Sequence, residues 1–232
     1  MTQLIFIPGL LCTEALFASQ IKAFEGLYDI RIAPTTSRSS ITDMAEAARE
    51  LITDRAVIIG LSMGGYVALE LALRYPEAVA GLGLLSTSAR ADDDERRKMR
   101  EELIRLSSIG RFKGVTPRLL PRFLSPEALA NDIITSTVMS MAETIGQENF
   151  VLQQRAIIAR QDQRPNLSGL SMPSLVLCGL QDELTPPHLS EEMADKLGNA
   201  ELVLIEGCGH LSTLEAADTV NSALQRLIER AV

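Results

Sequence analysis

The stretch VIIGLSMGGYVALELAL, residues 57–73, decides how this chain is read. It begins as a continuous apolar run of strand length. It breaks at Gly60-Leu61-Ser62-Met63-Gly64-Gly65, then resumes with apolar residues at helical spacing. A serine between glycines at the junction of a buried strand and a helix has a physical meaning. A sharp strand-to-helix turn forces the serine into a strained backbone conformation, and strand and helix pass so close that only small residues fit two positions either side of it. Gly60 and Gly64 meet that need. The turn lifts the Ser62 hydroxyl above the C-terminal edge of the sheet. The helix that follows aims backbone N–H groups, beginning with Met63, and its positive dipole end at the same point.

The same alternation extends outward. Apolar runs of strand length fall at about 4–7, 56–59, 82–85, 175–178 and 202–205. Each is apolar on both faces, as expected for parallel strands covered on both sides. The run YDIRIA, residues 28–33, alternates in polarity and is expected at a sheet edge. Helical patterns lie between the runs, at about 13–24, 41–53, 63–75, 188–197 and 213–229. The expected fold is α/β, a mostly parallel sheet of about six strands flanked by helices.

Residues 91–165 break the alternation with helical patterns and no convincing strand. They are expected to form a helical cap inserted into a core made of 1–90 and 166–232. The insertion opens with ADDDERRKMREELIRL, in which Asp92, Asp93 and Asp94 suit a helix N-terminus and pair at four-residue spacing with Arg96, Arg97 and Lys98. Met99, Leu103 and Leu106 form its inward stripe, and the charges read as a solvated face. Further helices are expected at 126–141 and 143–159.

Bulk composition narrows the function classes. The 232 residues carry a net charge of −8, which disfavours nucleic-acid or anionic-membrane partners. Three scattered cysteines and two histidines make neither a disulfide framework nor a zinc site. The N-terminal MTQLIFIPGLLC has no basic segment and is interrupted by Pro8-Gly9, so it reads as a strand of a cytoplasmic protein.

A serine nucleophile needs a base oriented by a third group. His210 follows the last strand on a Gly-rich turn, whereas His188 opens a helix after two prolines and reads as a surface residue. The acid is expected beyond a strand end between serine and histidine. Asp182 in LVLCGLQDELTP stands there, with Glu183 and Glu206 as alternatives.

The order Ser62, Asp182, His210 in these contexts resembles the α/β-hydrolase superfamily, within it the small esterases, enol-lactonases and pimeloyl-ester hydrolases. FIPGLLC resembles the family's early oxyanion loop, GLSMGG its elbow, PSLVLCGLQDELTP its acid segment and EGCGHLSTLE its histidine segment. The resemblance implies a carboxylic-ester hydrolase working through an acyl-enzyme on Ser62, with no metal or organic cofactor and a small-molecule ester as partner. It implies that the N–H of Leu10 joins that of Met63 in the oxyanion hole, Leu11 being the alternative donor. Leu11, Met139 and Met141 are expected to line the substrate site. Neutral acyl groups of short to medium length are expected, because the apolar part of the insertion holds no basic cluster. Two other readings use the same fold: a lyase or C–C hydrolase with the same triad, and a ligand-binding receptor. Two departures stand out. The early loop has Pro8-Gly9 where such families often have His-Gly, and the antiparallel strands that usually precede the first buried strand have no counterpart.

Overall fold

The computed structural model describes residues 1–109 and 112–232; residues 110 and 111 of the helical insertion lie outside the described residues. Six strands form one sheet: β1 (Gln3–Ile7), β2 (Asp29–Ile32), β3 (Ala56–Leu61), β4 (Val79–Leu85), β5 (Ser174–Gly179) and β6 (Ala200–Ile205). Their order is β2-β1-β3-β4-β5-β6, and every neighbouring pair is parallel. β1, β3, β4 and β5 are buried along their whole length, as their uninterrupted apolar runs require. Side chains alternate between two cores. Phe6, Val57, Ile59 and Leu177 pack with α1 (Ala18–Phe24) and α9 (Ala217–Ala231) on one face. Ile5, Ile58, Leu82 and Val176 pack with α2 (Ile41–Arg49), α3 (Met63–Arg74) and α7 (Pro187–Lys196) on the other.

β2 lies on one edge, in keeping with its alternating polarity. The opposite edge differs from the sequence reading. β6 looked as apolar as the central strands but is only partly covered, with Leu202 38% exposed. An edge strand lacks one neighbour, so apolar composition alone cannot distinguish it from a central strand.

Between β4 and β5 the described residues form helices and turns and no strand. α4 (Asp94–Ser107) starts where expected, with Asp93 as N-cap accepting the Arg96 N–H at 2.8 Å. The expected helix at 126–141 is divided. A short α5 (Pro126–Leu129) ends before Asn131, whose side chain caps a new helix, α6 (Asp132–Ala159). α6 runs through the expected break near 142 and kinks at Gly146, where φ is 74°, a conformation glycine adopts without a Cβ penalty. No helix of the described residues is long and apolar enough to cross a membrane.

Candidate active site

Ser62 joins β3 to α3 with φ 56° and ψ −116°, outside the favoured regions for a residue with a side chain. Three bonds hold it there. Its N–H donates to the Leu85 carbonyl at 2.9 Å, and its own carbonyl accepts from Gly65 N at 2.9 Å and Thr87 Oγ1 at 2.7 Å. The two flanking glycines are dictated by space. A Cβ on Gly60 would overlap the Gly64 carbonyl, and one on Gly64 would overlap the Ile7 carbonyl.

Asp182 and His210 come together after β5 and β6. The buried Asp182 Oδ2 lies 2.8 Å from His210 Nδ1. A carboxylate only accepts, so Nδ1 carries the proton and Nε2 is left as the acceptor. Thr185 Oγ1 donates to the same Oδ2 at 2.7 Å, while the N–H groups of Leu184 and Thr185 each donate to Oδ1 at 2.9 Å. Burial pushes the Asp182 carboxyl up, but the charge and hydrogen bond of His210 and the bonds from Thr185 outweigh it. The carboxyl ends below its usual value. Glu183 and Glu206 are exposed, as is His188, and none of them pairs with His210 among the described residues. No hydrogen bond joins Ser62 Oγ to the His210 ring among the described residues, although both line one cavity. Such bonds commonly tighten only when substrate is in place.

The loop after β1 packs against the serine; a Cβ on Gly9 would stand 3.4 Å from Ser62 Cβ. Among the described residues neither the Leu10 nor the Met63 N–H finds a protein acceptor. Leu11 is different. Its φ is 59°, and its N–H donates at 3.0 Å to Oε1 of Gln153, a fully buried residue of α6. Gln153 Nε2 donates in turn to the Thr35 carbonyl at 3.2 Å. The Leu11 donor is therefore occupied, and Leu10 is the free one.

The cavity over the serine measures about 550 Å³, in the range of small-molecule sites. Leu11 and Met141 line it, as does Val138, one helical turn before Met141. Met139 does not; it packs against the core cluster instead. Two residues along a helix is a rotation of about 200°, so Met139 and Met141 cannot share a face. The stripe of α4 also behaves differently from expectation. Met99, Leu103 and Leu106 are 38–47% exposed and form a wall of the cavity rather than packing inward. The apolar stretch expected to face the substrate, which carries no basic residue, is not the whole lining: Arg96, Arg100, Lys113 and Arg122, from the part of the insertion before it, line the cavity as well.

Four residues contribute to the site without having been singled out in the sequence. Thr185 buttresses Asp182, three residues on, a spacing typical of side-chain-capped turns. Glu215 accepts the N–H groups of Gly209 at 3.0 Å, Leu211 at 2.9 Å and Ser125 at 2.8 Å, which fixes the turn on both sides of His210. Gln153 holds the early loop, and the Phe123 carbonyl accepts the His210 N–H at 2.9 Å. The three cysteines are buried and unpaired. Burial pushes the Cys12 and Cys178 thiols up to about 12, and Cys208 is raised as well.

Comparison with known proteins identifies the family. A provisionally named carbamate hydrolase of Serratia proteamaculans is 29% identical over 198 residues, 80% of this chain and 71% of that one. A pimeloyl-[acyl-carrier protein] methyl ester esterase of Neisseria meningitidis is 28% identical over 203 residues, 85% of this chain but only 64% of that protein's length. A thermophilic esterase from Thermogutta terrifontis superposes with a TM-score of 0.89 at 23% identity, over 100% of this chain and 90% of the other. The family model described as alpha/beta hydrolase fold matches residues 32–217, and the chain belongs to that family.

Proposed function

We infer that this protein is a serine hydrolase that cleaves carboxylic esters through an acyl-enzyme on Ser62. One observation carries the reading: His210, paired with the buried Asp182, lines the same cavity as the strained Ser62. In this mechanism His210 Nε2 takes the Ser62 proton as Oγ attacks the ester carbonyl. The negative oxygen that forms is held by the N–H groups of Leu10 and Met63. His210 then returns the proton to the departing alcohol, and water hydrolyses the acyl-enzyme by the same route. Asp182 fixes the tautomer and stabilises the imidazolium. Residues 91–165 act as the cap over a core made of 1–90 and 166–232, since both parts line the cavity. The methyl ester named for the Neisseria relative supports an ester as substrate.

A fluorophosphonate probe tests the assignment. It should label the wild type once, at Ser62, and leave Ser62→Ala unlabelled. Turnover of a p-nitrophenyl ester should fall roughly 10⁵-fold or more in that variant, because the triad works as a unit. Labelling elsewhere, or an active Ser62→Ala, overturns the mechanism.

A further inference from the structure

The charge lining the cavity is opposite to that of the molecule. The chain has 22 Lys and Arg against 30 Asp and Glu. Among the described residues the cavity wall has four basic residues, Arg96, Arg100, Lys113 and Arg122, and a single acid, Glu183. Arg100 is already engaged: its Nε donates to Asp92, which it shares with Arg160, at 2.7 Å and its Nη1 to Gln154 at 2.9 Å. The side chains of Arg96, Lys113 and Arg122 have no acidic partner among the described residues, Arg96 half-buried and the other two exposed. Asp92, the acid one turn before Arg96, is turned inward to Arg100 and Arg160.

These cations share the wall with apolar side chains that the fold leaves partly uncovered. Met99, Leu103, Leu106, Ile109 and Leu119 are between 38% and 60% exposed. Like charges beside an apolar wall repel one another and strengthen their field in the space between, since low-dielectric walls focus it. Both features are relieved by a ligand that is apolar along its length and anionic at one end.

Resting on the ester-hydrolase reading, we propose that the substrate is an amphiphilic ester whose end remote from the scissile bond carries an oxyanion, a carboxylate or a phosphate. The apolar segment lies along α4, and Arg96, Lys113 and Arg122 supply the countercharge. Arg122 immediately precedes Phe123, whose carbonyl holds His210, so one of the cations is tied to the segment that positions the base.

Monomethyl and dimethyl suberate provide the comparison, being equal in chain length and differing in one negative charge. The wild type should hydrolyse the monomethyl ester with kcat/KM about tenfold higher at low salt, as expected for three partly screened cations. Raising the ionic strength should shrink that ratio. Replacing Arg96, Lys113 and Arg122 together with Gln should bring it close to one, and Lys113→Gln and Arg122→Gln singly should each lower it. A ratio of one or less in the wild type, or a ratio indifferent to these substitutions, overturns the proposal. Calorimetric binding to Ser62→Ala separates it from the hydrolase reading. If that variant binds monomethyl suberate or octyl phosphate more tightly than dimethyl suberate, and the wild type cleaves neither ester, the cavity's preference for an anionic amphiphile stands while the hydrolase reading, and with it the ester as substrate, falls. If the wild type cleaves both esters efficiently at equal rates, the hydrolase reading stands and the proposal falls. A preference for octyl phosphate over monomethyl suberate identifies phosphate as the oxyanion.

Discussion

Asp182 owes its charge to its neighbours, being sealed from solvent and held by Thr185, two backbone N–H groups and His210. Removing only that charge isolates its role. Asp182→Asn should fold and lose roughly 10⁴-fold in kcat, because an amide stabilises the wrong imidazole tautomer. Glu206→Gln, on the exposed alternative, should keep near-normal turnover; the opposite pattern would move the acid to Glu206. Gln153 invites a second test. Gln153→Leu strips the acceptor from the Leu11 N–H and the donor from the Thr35 carbonyl, and should cost about 1–3 kcal/mol of stability. It should also lower kcat by about 10–100-fold with little change in KM, since the adjacent Leu10 donor then loses its aim. A loss confined to KM would refute that link. Ser62, Asp182 and His210 were legible in the sequence because each sits on a short turn directly after a strand. Gln153 was not, because its partner at Leu11 lies 142 residues away and no local pattern marks it.

Helices of the insertion were legible as helices, but which way they face was not. Met139 and Met141 lie in one uninterrupted stretch of α6, and only the facing of that helix, which tertiary packing sets, decides that Val138 and Met141 reach the cavity while Met139 does not. Asp92 shows the same limit. It read as one member of a solvated acidic run, yet its side chain is fully buried between Arg100 at 2.7 Å and Arg160 at 2.8 Å. That cluster ties the start of α4 to the end of α6, and the Arg160 guanidinium also lies 4.2 Å from the centre of the Tyr66 ring on α3. Burial raises the Asp92 carboxyl, but the two arginines outweigh it and leave it below its ordinary 3.8. A depressed folded value means that the cluster stabilises the protein above about that pH and that the contribution is lost as pH falls through the folded value. Asp92→Ala should cost about 3 kcal/mol in urea unfolding at neutral pH, by leaving Arg160 buried without its counter-ion. The difference from wild type should narrow below pH 3.8; a constant difference across that range would show that the charge is not what matters.

At the scale of the whole molecule, the strand order explains why the site is where it is. From β1 the chain passes to β2 on one side, then returns to β3 on the other. Loops leaving β1 and β3 part at that reversal and open a crevice, the usual place for ligands in a parallel sheet. The alternation of strands and helices was legible, but the order was not, because it depends on pairings between distant segments. The basic lining was hidden for a similar reason: Arg96, Lys113 and Arg122 are scattered along the sequence and meet only around the cavity. The same convergence gives the protein three internal clocks. Cys12 lies on the loop after β1, Cys178 is the penultimate residue of β5, near Asp182, and Cys208 stands two residues before His210. With thiols this buried and this reluctant to ionise, alkylation has to wait for each segment to open. Pulsed iodoacetamide labelling read by peptide mass spectrometry should therefore time the opening at the two loops and at the end of β5 separately. Cys12, which touches the cavity, should react first and Cys178, fully buried within a strand, last. Identical rates at all three would mean that the site opens only when the whole molecule unfolds.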